Sequence, residues 1–145
     1  MSDPLTSALR SLPHGPEFRF LDRLLNLDPG KSGSAEYVVR GDEPFLRGHF
    51  PNHPLFPGVL LVEAAAQLAG TVAQSDPHVK PLNGLRLTAL RAVKILDSAK
   101  PGQVIHLEAR IMGRMANLIQ AQASASVDGQ VVMKAELTLS GDGDR

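Results

Sequence analysis

No cysteine occurs anywhere in the chain. That excludes disulfides, thiol nucleophiles and thiolate metal sites, and it fits a reducing compartment. There is no net charge either: Lys+Arg and Asp+Glu number 15 each. Domains that bind nucleic acid are usually strongly basic, so nucleic acid is not expected as the main partner. No apolar stretch reaches the roughly 18 residues that suggest a membrane span. The opening MSDPLTSALRSL lacks the basic start and long apolar run of a signal peptide. A cytoplasmic location is the resulting expectation. The five histidines do not form a metal pattern such as HExxH. No Ser sits in a nucleophile elbow, and no Gly-rich phosphate loop is present.

What remains is a chain of 145 residues, enough for one domain spanning 1–145. Such a chain buries roughly 68–70% of its unfolded surface and supports a real core. Residues 1–12 read as a short helix, with Ser2 or Asp3 as cap and Pro4 in first position. The segment 18–27 is ambiguous between helix and strand. Pro29-Gly30 reads as a turn. Ser34–Arg40 alternates through Ala35, Tyr37 and Val39 as a strand does. A loop rich in Pro and Gly follows from Gly41 to Pro57. Beyond Pro81 the period is two: Leu85 to Ile95, Ile105 to Ile111, Ile119 to Val127 and Val131 to Leu139. Asp128-Gly129 is a strong hairpin signal. Long alternating strands joined by short turns predict an antiparallel sheet with one polar face. With one long apolar helix this gives a two-layer α+β domain. The tail 141–145 is expected to fray.

That helix holds the informative feature. GVLLVEAAAQLAGTVA, Gly58–Ala73, is apolar on every face except at Glu63 and, one turn later, Gln67. A helix apolar all round belongs inside a fold, and a carboxylate there is costly unless paired, hydrogen-bonded or protonated. Upstream lies His49 in Gly48-His49-Phe50-Pro51, and three prolines restrict the backbone between His49 and the helix. The pair has the residue types of an acid–base couple. The helix N-terminus at Pro57-Gly58 offers amides without helical partners and the positive end of the helix dipole, suited to a developing oxyanion. On these residues alone Glu63 is equally readable as a structural carboxylate, and a single loop His more often marks a turn or a surface. Gln67 either orients Glu63, four residues away on the same face, or satisfies a buried polar contact. His53 reads as a loop residue, and His14, His78 and His106 as structural or exposed.

The run GHFPNHPLFPGVLLVEAAAQLAG resembles the active-site segment of the (3R)-3-hydroxyacyl-(acyl carrier protein) dehydratases of bacterial fatty-acid synthesis. Leu12-Pro13-His14, Leu21-Asp22-Arg23, Glu43-Pro44-Phe45 and Pro101-Gly102 extend the likeness over about residues 12–137. The resemblance implies a hot-dog fold, in which an antiparallel sheet wraps a central helix. It implies His49 and Glu63 as catalytic residues that meet across a dimer interface, with Gly58 supplying an oxyanion-type N–H. Val59, Phe50 and Gln67 complete the expected substrate contacts. The implied reaction dehydrates a 3-hydroxyacyl thioester on acyl carrier protein to the trans-2-enoyl thioester and needs no cofactor and no metal. The expected assembly is a homodimer, with a hexamer as a trimer of dimers. A related branch that also isomerises the double bond has Asp where this chain has Glu63. The chain departs from the family pattern at Asn52, where Gly is usual, and after His14, where Gly15-Pro16-Glu17 stands. Leu85–Leu90 also lacks the aromatics that often gate the acyl tunnel. Two alternatives stay open: a hot-dog acyl-CoA thioesterase, which would not need His49 within GHFP, and a non-catalytic acyl-binding subunit, which would lack one of the two catalytic side chains. From Lys80 to Arg114 seven basic residues face two acidic ones, an excess suited either to an acidic carrier or to a solvated sheet face.

Overall fold

A computed structural model describes residues 4–10, 12, 15, 18–47 and 54–142. The first element is helix α1, Pro4–Arg10. The hairpin β1, Arg23–Asp28, and β2, Ser32–Val38, follows. The ambiguous segment 18–27 thus resolves as strand from Arg23. Gly30 turns the hairpin with φ 74°, where Lys31 N donates to Asp28 O at 2.9 Å. A short helix α2, Pro44–Arg47, lies in the stretch expected to be loop throughout. The long helix α3 spans Gly58–Gln74. Four strands complete the chain: β3, Arg86–Ile95; β4, Val104–Met115; β5, Leu118–Val127; and β6, Gln130–Ser140.

The six strands form one sheet in the order β1-β2-β4-β5-β6-β3, and every neighbouring pair is antiparallel. Asp128 and Gly129 take φ 52° and 80° at the β5–β6 turn. Two left-handed residues in a two-residue loop match the twist of the flanking strands. The inner face carries Ala35 and Tyr37 of β2, Ile105 and Leu107 of β4, Ile119 to Val127 of β5, and Met133 to Leu139 of β6, all in alternation and all buried. Leu61, Leu68 and Val72 of α3 are likewise wholly buried. Many inner positions are Ala, which lets the helix lie close. A Cβ on Gly33 would stand 2.8 Å from Val72 Cγ2, so glycine sets the approach of β2 to α3. This is the sheet-around-helix arrangement of the hot-dog fold.

Two expectations change. β3 alternates in sequence, yet all its residues are exposed except Leu87, which is partly so. It is the last strand of the sheet, and its outer edge meets no described strand. The tail is also held further than expected. Gly141 N donates to Asn117 O at 2.9 Å, and Asp142 N to Asn83 O at 2.7 Å. The β4–β5 turn and the 82–86 segment therefore fix the chain through Asp142.

Candidate active site

α3 starts abruptly because Pro57 cannot continue a helix backwards and because its own position is pinned. Phe56 N donates to Ala99 O at 2.8 Å, a bridge that ties the helix entry to the segment after β3. The first amides bonded in helical fashion are Leu60 and Leu61, both to Pro57 O, at 2.9 and 3.3 Å. Gly58 and Val59 precede them. A Cβ on Gly58 would lie 2.9 Å from Ile95 Cδ1, so the close contact with the end of β3 favours glycine. Val59, inside an otherwise apolar helix, is 71% exposed. The helix thus enters the core only from Leu61 onward.

Between Leu61 and Ala73 every residue is buried except two, Glu63 and Gly70. Both line one cavity of about 550 Å³. Its floor is a single helix face: Glu63, Ala66, Gln67, Gly70, Thr71 and Gln74. That spacing of three, four, seven, eight and eleven residues is one stripe of an α-helix. The rest of the lining is mostly leucine, Leu12, Leu82, Leu85, Leu87 and Leu139, with Asn83, Gly84 and Arg86. Glu63 is therefore a carboxylate at one end of the helix face that lines a mostly apolar cleft, which is the ordinary form of a small-molecule site.

Gln67 is 2% exposed, and its amide is fully used. Nε2 donates to Phe18 O at 2.8 Å and, over a longer 3.4 Å, to Glu63 Oε1. Oε1 accepts from Phe20 N at 2.9 Å. A carbonyl on one side and an N–H on the other fix which way the amide faces. The two short bonds hold the 18–20 segment against the helix, and the long one reaches Glu63. Both readings of Gln67 thus have a counterpart in the structure.

His49 and Phe50 lie outside the described residues, as do Asn52, His53 and His14. What leads into that loop is described, and it is tightly held. Glu43, 8% exposed, accepts from Tyr37 Oη at 2.8 Å, from Gly41 N at 2.6 Å and from Arg40 N at 3.1 Å. Burial alone would raise the Glu43 pKa, but these donors outweigh it and leave the carboxyl below the ordinary range. Tyr37 moves up, through burial first and then its bond to Glu43, so it remains the donor. Arg40 lies 5.2 Å over the Tyr37 ring and pairs with Asp22 at 2.5 Å. Beneath this network Phe20, Tyr37, Phe45 and Phe56 form an edge-on cluster with centroids 5.5–6.1 Å apart. Phe56 is thus packing, on the two flanks of the loop at once. Sequence reasoning did not single out Glu43 or Tyr37 as partners, since their pairing is tertiary.

The remaining histidines stand apart. His78 is exposed, and His106 lies 3.5 Å from Glu108 on the outer sheet face. Among the described residues no group of three or more His, Cys, Asp or Glu could hold a metal ion. No helix among them is long and apolar enough to cross a membrane. A second hollow, about 690 Å³, lies on the outer sheet face between Lys94, Glu108, Arg110, Lys134 and Glu136. None of the candidate site residues lines it. The basic excess of 80–114 is partly neutralised there: Arg91 lies 3.5 Å from Glu136.

Comparison with known proteins adds an independent line. The chain matches the family model of the FabA-like domain over residues 12–136. A protein of Ruminiclostridium cellulolyticum described as 3-hydroxyacyl-[acyl-carrier-protein] dehydratase FabZ is 39% identical over 126 residues, 87% of this chain and 88% of that protein. One of the same description from Dechloromonas aromatica is 37% identical over 131 residues, 89% of this chain and 91% of its own. Among solved structures, the dehydratase heterocomplex ApeI:P of Xenorhabdus doucetiae superposes with a TM-score of 0.79 at 19% identity, over 94% of this chain and 91% of that one. Zebra fish thioesterase superfamily member 2 does so at 0.70 and 13% identity, over 94% of each chain. At such identities these two likenesses concern the fold, which dehydratases and thioesterases share. The family model and the sequence relatives decide further than the fold does: the chain belongs to the FabA-like family.

Proposed function

We propose that the protein dehydrates (3R)-3-hydroxyacyl thioesters carried on acyl carrier protein, giving trans-2-enoyl thioesters in fatty-acid or related lipid synthesis. The observation that carries the proposal is Glu63, the carboxylate that the buried helix directs to an apolar cleft long enough for an acyl chain. The names of the sequence relatives supply the substrate class. His49 takes the C2 proton as base. Glu63 gives a proton to the departing C3 hydroxyl, which leaves as water. The electrons of the C2–H bond form the new double bond, so no electron acceptor is consumed and no cofactor is required. The amides of Gly58 and Val59 polarise the thioester carbonyl while charge develops on its oxygen. General acid–base help of this kind is typically worth about 10²–10⁴-fold.

The site is shared between two subunits in this reading. β3 ends the sheet with an edge that meets no described strand, and its Leu90, Val93 and Ile95 and the following Leu96 are exposed. Such an edge is a template for pairing with another chain. Pairing β3 with its copy would join two sheets and cover those side chains together with Val59, whose neighbour Gly58 already touches Ile95. His49 of one subunit then works with Glu63 of its partner, and three such dimers make a hexamer. The cytoplasm is the location that goes with this reading.

The test is an assay on a 3-hydroxyacyl carrier substrate, following enoyl-thioester absorbance. Enoyl thioester formed without added metal or cofactor supports the proposal. Release of the free hydroxy acid would instead establish the thioesterase reading, and binding without turnover the non-catalytic one.

A further inference from the structure

Gly70 is the second gap in the buried helix, and the fold does not require it. Glycine weakens a helix interior relative to alanine. A Cβ at Gly70 would meet only Leu85 Cδ2 at 3.7 Å and Leu139 Cδ1 at 3.9 Å, ordinary contact distances. Unlike Gly58, then, it has room for a side chain. Unlike Gly30, it does not take a positive φ. Leu85 and Leu139 both line the cavity that begins at Glu63. The missing side chain is what leaves the cleft open beyond that point.

The Gln74 end of that helix face is tied across to the facing segment. Gln74 Nε2 donates to Leu82 O at 2.6 Å, and Gln74 Oε1 accepts from Leu82 N at 3.0 Å. This ties the last turns of α3 to the 82–86 segment, and Asp142 N secures that segment again through Asn83 O at 2.7 Å. The helix face from Glu63 to Gln74 is about 16 Å long at 1.5 Å per residue. An extended alkyl chain advances roughly 1.3 Å per carbon, given C–C bonds near 1.5 Å. Allowing about 4 Å for contact at the Gln74–Leu82 bonds, some nine carbons fit beyond C3.

Resting on the proposed dehydration, we infer that Gly70 is a specificity-determining residue. Its bare backbone opens an acyl channel that admits medium chains, to about twelve carbons in all, and the Gln74–Leu82 bonds stop longer ones. A side chain at position 70 would project between Leu85 and Leu139 and lean back toward Glu63, as helical side chains lean toward the N-terminus. It would shorten the channel while leaving the site itself in place.

The test compares wild type, Gly70→Leu and Gly70→Ala on acyl groups of about four carbons, which end short of Gly70, and about twelve, which run past it at the helix rise per residue. Two readouts are taken: affinity for unreactive saturated acyl-pantetheines, and kcat/KM on the matching 3-hydroxyacyl thioesters. The long-to-short ratio should fall at least about tenfold in Gly70→Leu, the scale of a methylene's worth of misfit in an apolar pocket. It should fall less, in the same direction, in Gly70→Ala, which keeps the variant question open to decision if the leucine chain does not fold. Unchanged ratios in folded Gly70→Ala, or a uniform loss at both lengths, would overturn the inference. If wild type turns over neither substrate, the proposed reaction fails, and the affinity ratio still decides the role of Gly70.

Discussion

At the scale of single residues, Gln67 links the site to the fold with one amide. It satisfies Phe20 N and Phe18 O and touches Glu63. Replacing it by Leu keeps the volume near but leaves a buried N–H and a carbonyl without their partner. A buried polar group left unsatisfied costs about 1–3 kcal/mol. Gln67→Leu should therefore lower the unfolding free energy by about that amount in urea denaturation, and lower turnover as well, because the 18–20 segment no longer backs the helix. Glu43 gives a different prediction. Its folded pKa lies below its unfolded one, so its contribution is fully present above the ordinary glutamate pKa and is lost as pH falls through the folded value. That contribution should hold from neutral pH down to the ordinary glutamate value, 4.5, and be lost below it. In Glu43→Gln that acid-side decline should be shallower, which a set of melting curves across pH would read.

Elements differ in how plainly the sequence announces them. β4, β5 and β6 were legible because each buries one face, so burial and alternation coincide along Ile105–Ile111, Ile119–Val127 and Met133–Leu139. The Asp128-Gly129 turn was legible because Asp-Gly suits the two left-handed residues of a type I′ hairpin loop. α3 stood out by its unbroken apolar content, and Glu63 by interrupting it. β3 was legible as a strand and misread in its surroundings: period two reports the pleat, and says nothing of what covers either face. α2 was missed because its four residues, Pro44–Arg47, sit among turn formers and owe their helix to Leu46 packing in the core and its N–H bonding Glu43 O at 3.0 Å. Gly70 was passed over because one glycine in an Ala-rich helix looks like a small loss of propensity. Its meaning lies in Leu85 and Leu139, which arrive from other elements. Likewise neither Tyr37 nor Glu43 announces its pairing with the other, and only the fold brings them together on the chain leading toward His49.

For the whole molecule the exposed edge of β3 is the decisive feature, since a two-fold pairing is self-complementary and yields two sites from one contact. Complementation measures this. His49→Ala and Glu63→Gln chains, unfolded, mixed and refolded, should form mixed dimers in which one site lacks both groups and the other has both. Random assembly makes about half the dimers mixed, so about a quarter of wild-type activity should return. Confirmed mixed dimers with no activity above the separate variants would show that each subunit uses its own pair. The carrier should be felt at the same scale. Lys94 lies opposite Lys134 in the β3–β6 register, a like-charge pair open to an acidic partner, whereas Arg91 is offset by Glu136. Charge reversal at Lys94 or Lys100 should weaken use of a carrier-bound substrate more than of a pantetheine one, mainly through association rate and its salt dependence. Equal effects on both would assign these lysines to the sheet instead.

In the proposed reaction His49 and Glu63 together remove water from a 3-hydroxyacyl thioester. Mass spectrometry of one carrier-bound substrate incubated with wild type, His49→Ala and Glu63→Gln tests it most directly. Wild type should give a thioester lighter by one water, and each variant should form it at least about 10²-fold more slowly with an unchanged circular dichroism spectrum. A free hydroxy acid from wild type, or near-wild-type dehydration by either variant, would contradict it.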